Sequence, residues 1–141
     1  MYPDTQKAIS ILEQGGYTCA VCRNDAVYTA TLRGVRPLLN WLDEGPSLEG
    51  FCAADRVVGR AAAFLYCLLG VTEVYAKVMS RPAAQVLTDH GISIYAETFT
   101  NGIINRKGTG PCPFEDTVME ITDPAEALIT IRAKLADMLG G

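Results

Sequence analysis

The sequence lacks the clustered positive charge of a nucleic-acid binder. Its 12 lysines and arginines stand against 16 aspartates and glutamates, both signs are scattered along the chain, and the net charge is −4. Proteins that grip nucleic acid carry a basic stripe or patch, and the single tryptophan and six tyrosines form no stacking platform. A nucleic-acid partner is therefore excluded, and the mild acidity reads as a contribution to solubility. Long hydrophobic runs are also missing. The longest, residues 61–69, falls far short of the roughly 20 residues needed to span a bilayer. The start, Met1-Tyr2-Pro3-Asp4, has neither the charged opening nor the apolar stretch of a secretion signal. Cysteines number five, an odd count, which speaks against a disulfide framework and for reduced thiols. The expectation is a cytoplasmic protein with no membrane partner.

What is present is enough for one substantial core: 141 residues, 49% of them hydrophobic, read as a single domain over 1–141. Ala8, Ile9, Ile11 and Leu12 recur at helical spacing over 5–14, and Gly15-Gly16 ends that helix. Residues 17–22 and 26–32 are strand-like around the turn Arg23-Asn24-Asp25. Val35, Leu38, Leu39 and Leu42 mark a second helix, with Pro37 tolerated in its first turn. Residues 55–69 read as a central helix, apolar nearly all round after Arg60, which must be covered on several sides. Strands are expected at 72–78 and 92–95, and a helix at 80–90. A short helix starts at Pro113. The last helix opens with Asp123-Pro124-Ala125-Glu126, an N-cap followed by proline at the first helical position. A hairpin followed by strand–helix–strand units implies a three-layer α-β-α domain with a mixed sheet.

Cys19-x-x-Cys22 invites a redox or zinc reading. Because residues 18–23 alternate like a strand, the two sulfurs should point to opposite faces. One is then a buried small residue and the other a partly exposed one. A redox pair would sit at a helix start, and zinc would need two more ligands.

This order of elements resembles the cytidine-deaminase superfamily, with its opening helix, its hairpin, and two helices whose N-termini face each other. In active members the first of those helices begins with His-Ala-Glu or Cys-Ala-Glu and the second with Pro-Cys-x-x-Cys, three ligands holding zinc and the glutamate shuttling protons. Here the first site reads Gly50-Phe51-Cys52-Ala53-Ala54-Asp55-Arg56, like Cys-Ala-Glu with one extra residue and a shorter acid. The second reads Ser80-Arg81-Pro82-Ala83-Ala84-Gln85-Val86-Leu87, with Ala83 and Val86 where the cysteines should be. Neither coordinates a metal, so the resemblance implies a fold without its zinc and no cofactor. The stretches 54–63, 74–78 and 108–113 are similar to a small bacterial family of unknown function placed on that fold and lacking its zinc motifs.

Several residues then carry two readings each. Asp55 reads as the N-cap of the central helix, stabilising it by about 1 kcal/mol, and on the deaminase layout that helix start faces the substrate pocket. Cys112 reads as the N-cap of the helix opened by Pro113, with Glu115 at the third position. The helix dipole there favours a thiolate, and the acids Glu115 and Asp116 oppose it. The glycine-rich loop 101–110, with Asn105, Arg106 and Lys107, has the parts of an anion cradle or of an ordinary surface turn. Lys77, Ser80 and Arg81 close a strand at the sheet end where open α/β sheets bind ligands; the plainer reading is a capping serine and two solvated cations. Gly59, taken as lying inside the helix, marks a close backbone approach. His90, the sole histidine, suits a helix's last turn.

The functional expectation is a zinc-independent, deaminase-like protein with a small-molecule pocket. Asp55, Lys77, Ser80 and Cys112 line it, Arg81, Asn105 and Arg106 help hold an anionic or nucleotide-like ligand, and any catalysis uses Cys112 as nucleophile or acid and Asp55 as base. The alternatives are a ligand sensor without chemistry and a homo-oligomeric interaction protein with a vestigial pocket.

Overall fold

A computed structural model describes residues 1–103 and 112–140. Chain order is α1 (Pro3–Gly15), β1 (Cys19–Arg23), β2 (Ala26–Ala30), α2 (Arg36–Glu44), β3 (Cys52–Val58), α3 (Arg60–Leu69), β4 (Glu73–Ser80), α4 (Arg81–Asp89), β5 (Ser93–Thr100), α5 (Pro113–Val118) and α6 (Pro124–Gly140). The five strands form one mixed sheet in the order β2-β1-β3-β4-β5. β1 runs antiparallel to β2 and to β3, while β3, β4 and β5 are mutually parallel.

The hairpin closes through a two-residue turn, with Arg23 paired to Ala26 and Asn24 at φ 52°. Asparagine tolerates that left-handed backbone better than most residues. Gly16, at φ 67°, ends α1 in the same region. Strand alternation sorts the interior into two cores. On one face Ala20, Cys22, Ala54 and Tyr75 meet Ala8 and Leu12 of α1. On the other, Cys19, Val21, Ala53, Val74 and Ala76 meet residues of α2 to α6. These are the three layers. The two sulfurs of Cys19 and Cys22 point to opposite faces as expected, but both are buried, at 2% and 0% exposed; α1 covers the second.

The main departure from the sequence expectation is the central helix. Residues 55–58 belong to strand β3, and α3 begins only at Arg60. Asp55 is therefore not a helix N-cap, and Gly59 is not inside a helix: it stands before the first turn in extended backbone, at φ −99° and ψ −179°. Asp55 has the residue type of a helix N-cap and stands ahead of the apolar run 61–69, which is what placed the helix start too early. The β-branched pair Val57-Val58 and the following glycine favour the strand. From Arg60 on, the helix is buried nearly all round, from Ala61 to Tyr66 and again at Leu69. β5 also runs further than 92–95, to Thr100, because its parallel register with β4 continues to Ser80. Among the described residues, no helix is long and apolar enough to cross a membrane.

Candidate ligand-binding cleft

A cleft of about 640 Å3 opens at the carboxyl end of β3. Its walls come from the start of β1 (Thr18, Cys19), the loop 31–35, the first turn of α2 (Pro37, Leu38), residues 55–57, Gly59 and Ala62 of the β3–α3 junction, and Ile103, Cys112, Phe114 and Glu115. Asp55 provides the chemistry. Its register partner across the sheet is Cys19, and alternation aims both side chains at the face on which α3 lies. There the Tyr66 hydroxyl donates to Asp55 Oδ2 at 2.6 Å. Cys19 Sγ stands 3.1 Å from the same hydroxyl oxygen; with the tyrosine proton on Asp55, the thiol is the donor. The Arg56 backbone N–H donates to Asp55 Oδ1 at 2.7 Å. Burial outweighs these donors and pushes the Asp55 carboxyl from 3.8 up to about 6. The same burial, with Asp55 beside them, drives both Tyr66 and Cys19 well above their ordinary values.

The wall contributed by α5 is fastened to α3 by an exchange between two residues. Glu115 reaches away from its own helix, and its carboxylate accepts from the backbone N–H of Arg60 (2.7 Å) and of Ala61 (3.1 Å). It thereby caps α3, whose first donors have no partner within the helix. In return the Arg60 guanidinium donates to the carbonyls of Val118 and Ile121 past the end of α5 and lies 5.1 Å from the Phe64 ring centre. Gly59 makes room for this: a Cβ there would meet Glu115 Oε1 at 2.3 Å. The close approach expected at Gly59 is real, but its partner is a carboxylate rather than backbone. Burial raises the Glu115 carboxyl, against the pull of the two N–H donors and Arg60.

Of the residues singled out from sequence, Asp55 and Cys112 line this cleft together. Cys112 occupies the N-cap position of α5 as expected, without a side-chain cap bond. Lys77, Ser80 and Arg81 are not among the lining residues. Lys77 shares the strand parity of Tyr75, whose side chain packs on the α1 face, away from Asp55. Ser80 is fully buried and caps α4, accepting from the Ala83 N–H at 3.1 Å. Arg81 donates to Asn101 Oδ1 at 3.2 Å on the surface. Asn105 and Arg106 lie outside the described residues. His90 is structural, its Nδ1 2.8 Å from the Val86 carbonyl at the end of α4. Sequence reasoning missed Tyr66, Cys19 and the loop 31–35. A tyrosine set in a helix of alanine, leucine and phenylalanine was the one available sign.

Residues 7–135 match the family model described as TM1506, a domain of unknown function (DUF1893). The chain belongs to the DUF1893 family. A crystal structure of a DUF1893 family protein (TM1506) from Thermotoga maritima is similar, with a TM-score of 0.87 and 24% sequence identity over 95% of this chain and 92% of that chain. At that identity the likeness speaks for the fold alone. No curated protein matches the chain.

The zinc that the deaminase resemblance raises does not fit this DUF1893 domain. Cys52 and Asp55, read from sequence as a shifted Cys-Ala-Glu motif, lie along β3 with opposite strand parity, so their side chains leave opposite faces of the sheet. The helix starts themselves offer Gly59, Arg60 and Ala61 at α3, and Arg81, Pro82 and Ala83 at α4. None of these is a zinc ligand.

Proposed function

We propose that this DUF1893 domain binds a small ligand in the cleft between β3, α2, α3 and α5, with Asp55 as the group the ligand meets. One observation carries the reading: a half-buried carboxylate with raised proton affinity lines a cleft of about 640 Å3. A carboxyl whose proton affinity is shifted by burial inside a cleft is a candidate functional group. The volume suits a nucleotide-sized molecule. The sheet end also fits, since open α/β sheets bind ligands outside the carboxyl ends of their strands.

Kinship to the deaminase fold is part of the proposal. It is supported by the opening helix, the hairpin, and the two β–α units β3–α3 and β4–α4, whose parallel strands start both helices from one sheet end. A zinc-independent reaction would use Cys112 as the attacking group and Asp55 as the base. No hydrogen bond links the two among the described residues, so binding rather than turnover is the reading adopted. The anionic preference expected from sequence rested on Lys77, Ser80 and Arg81, which stand elsewhere, and on Asn105 and Arg106.

A thermal-shift screen of nucleosides, nucleotides and small metabolites tests the proposal. A true ligand raises the melting temperature of the native protein, by mass action on the folded state, and leaves Asp55→Asn unmoved. A panel in which every shift persists in that variant would sink the reading.

A further inference from the structure

We infer that β5 is the dimer edge of this protein: it pairs antiparallel with β5 of a second copy, across a two-fold axis at Ala96, so that one sheet runs through both copies. The inference does not depend on the cleft. β5 ends the sheet, and among the described residues β4 is the one strand that pairs with it. A strand alternates its backbone N–H and C=O groups between its two sides, so the outer side of this eight-residue edge presents a row of them for pairing. Edges are commonly blunted by short length, proline or lysine. β5 has none of these: it reads Ser93-Ile94-Tyr95-Ala96-Glu97-Thr98-Phe99-Thr100, with Tyr95 42% and Phe99 40% exposed. The opposite edge, β2, has five residues and is mostly half-buried.

The order of side chains along the edge selects a second copy as its occupant. Residues directly opposite each other in an antiparallel pair leave the same face of the sheet. With the two-fold axis at Ala96, Tyr95 stands opposite Glu97 of the second copy, and symmetry makes the contact twice. Both side chains lie on the α1 side. Tyr95 is the register partner of Tyr75, which packs on that face, and burial together with the Glu97 carboxylate beside it raises the Tyr75 phenol. The Tyr95 hydroxyl oxygen accepts from the Met1 ammonium at 3.0 Å, so its own proton is left to donate to a carboxylate across the axis, a charge-assisted bond. Glu97 is the one ionised side chain of the strand, and an axis placed at Glu97 would instead set two carboxylates face to face. Ala96 also adjoins the midpoint of β5, so this pairing uses nearly its whole length. A peptide added to an edge takes its specificity from pockets beside that edge. The cleft and two smaller concavities, of about 400 and 510 Å3, draw no wall from β5.

Sedimentation velocity on the full chain over a dilution series tests this, with Tyr95→Glu, Tyr95→Lys and the swap Tyr95→Glu/Glu97→Lys beside the native protein. The native protein should be a dimer that dissociates on dilution. Tyr95→Glu opposes like charges at both contacts and should weaken the dimer about tenfold or more. Tyr95→Lys sets an ammonium against the same glutamate and should dimerise at least as tightly as the native protein, and the swap should restore what Tyr95→Glu loses. Hydrogen exchange on the native protein should show the backbone of 93–100 protected in the dimer and faster on dilution. A protein that stays monomeric throughout overturns the inference, its edge then belonging to another occupant or to none. A dimer that ignores Tyr95→Glu, or that Tyr95→Glu and Tyr95→Lys weaken equally, overturns it as well. Exchange at β5 that is the same in dimer and monomer overturns it even where a variant fails to fold.

Discussion

Asp55 is kept in the folded protein at the expense of stability, and the direction can be worked out. Its carboxyl titrates at about 6 in the fold against an ordinary 3.8. A raised carboxyl pKa means that the folded state holds the proton more tightly than the unfolded chain does. The associated stability is complete below about 3.8 and is lost as pH rises through about 6. Asparagine stays neutral and still accepts from Tyr66. Asp55→Asn should therefore be more stable than the native protein at pH 7, by about 1–3 kcal/mol, with most of that margin gone at pH 4. Denaturant melts of both proteins at the two pH values give the comparison directly. A variant less stable at pH 7 would make Asp55 a structural anchor and remove the main support for the cleft as a binding site. Its residue type was legible as interesting from sequence; its environment was not, because Cys19 and Tyr66 reach it from 36 positions before and 11 after.

At the scale of elements, the joint between α3 and α5 carries the sharpest expectation. Glu115 caps α3 from 54 and 55 residues away, and Gly59 leaves the gap its carboxylate fills. The glycine backbone is extended there, so alanine is not strained by its dihedrals; it is opposed only by Glu115. Gly59→Ala should cost about 1–3 kcal/mol, the range for breaking charged hydrogen bonds that are partly buried. In a Glu115→Ala background the same change should cost markedly less, since the clash and the bonds are already gone. Additive losses in that double-mutant cycle would mean that glycine is needed for another reason. The cap also explains why the helix start was placed too early from sequence. Asp55 has the residue type of an N-cap, but the capping carboxylate comes from a different element, and local pattern does not register a cap delivered through space.

Across the whole molecule, the five thiols report the layering. Cys19, 2% exposed, lies in one core and Cys22, 0% exposed, in the other, while Cys52 on β3 is 3% exposed. Cys67 is half-buried, and burial holds its thiol at about 11. Cys112 stands half-buried on the cleft wall. Alkylation of the native protein near pH 8 should therefore mark Cys112 first, with Cys19, Cys22 and Cys52 modified only on global unfolding. Peptide mapping after short exposure reads the order, and early loss of Cys19 or Cys22 would contradict the three-layer packing. A cleft ligand should slow the reaction at Cys112 alone.

Sequence alone determined the order of the elements other than the central strand, the hairpin around Arg23-Asn24-Asp25, the opposed faces of Cys19 and Cys22, the capped openings of α4 and α6, and the mixed three-layer arrangement. Each follows from local periodicity, turn chemistry or connection length, which act over a few residues. Tertiary structure alone decided that residues 52–58 form the central strand, that Asp55 stands beside Cys19 and meets Tyr66, that Glu115 serves α3 rather than its own helix, and that Lys77, Ser80 and Arg81 stand apart from the cleft. These outcomes depend on which face of the sheet a side chain leaves and on what lies above it. A shift of one residue in register reverses the first, and segments far apart in the chain supply the second.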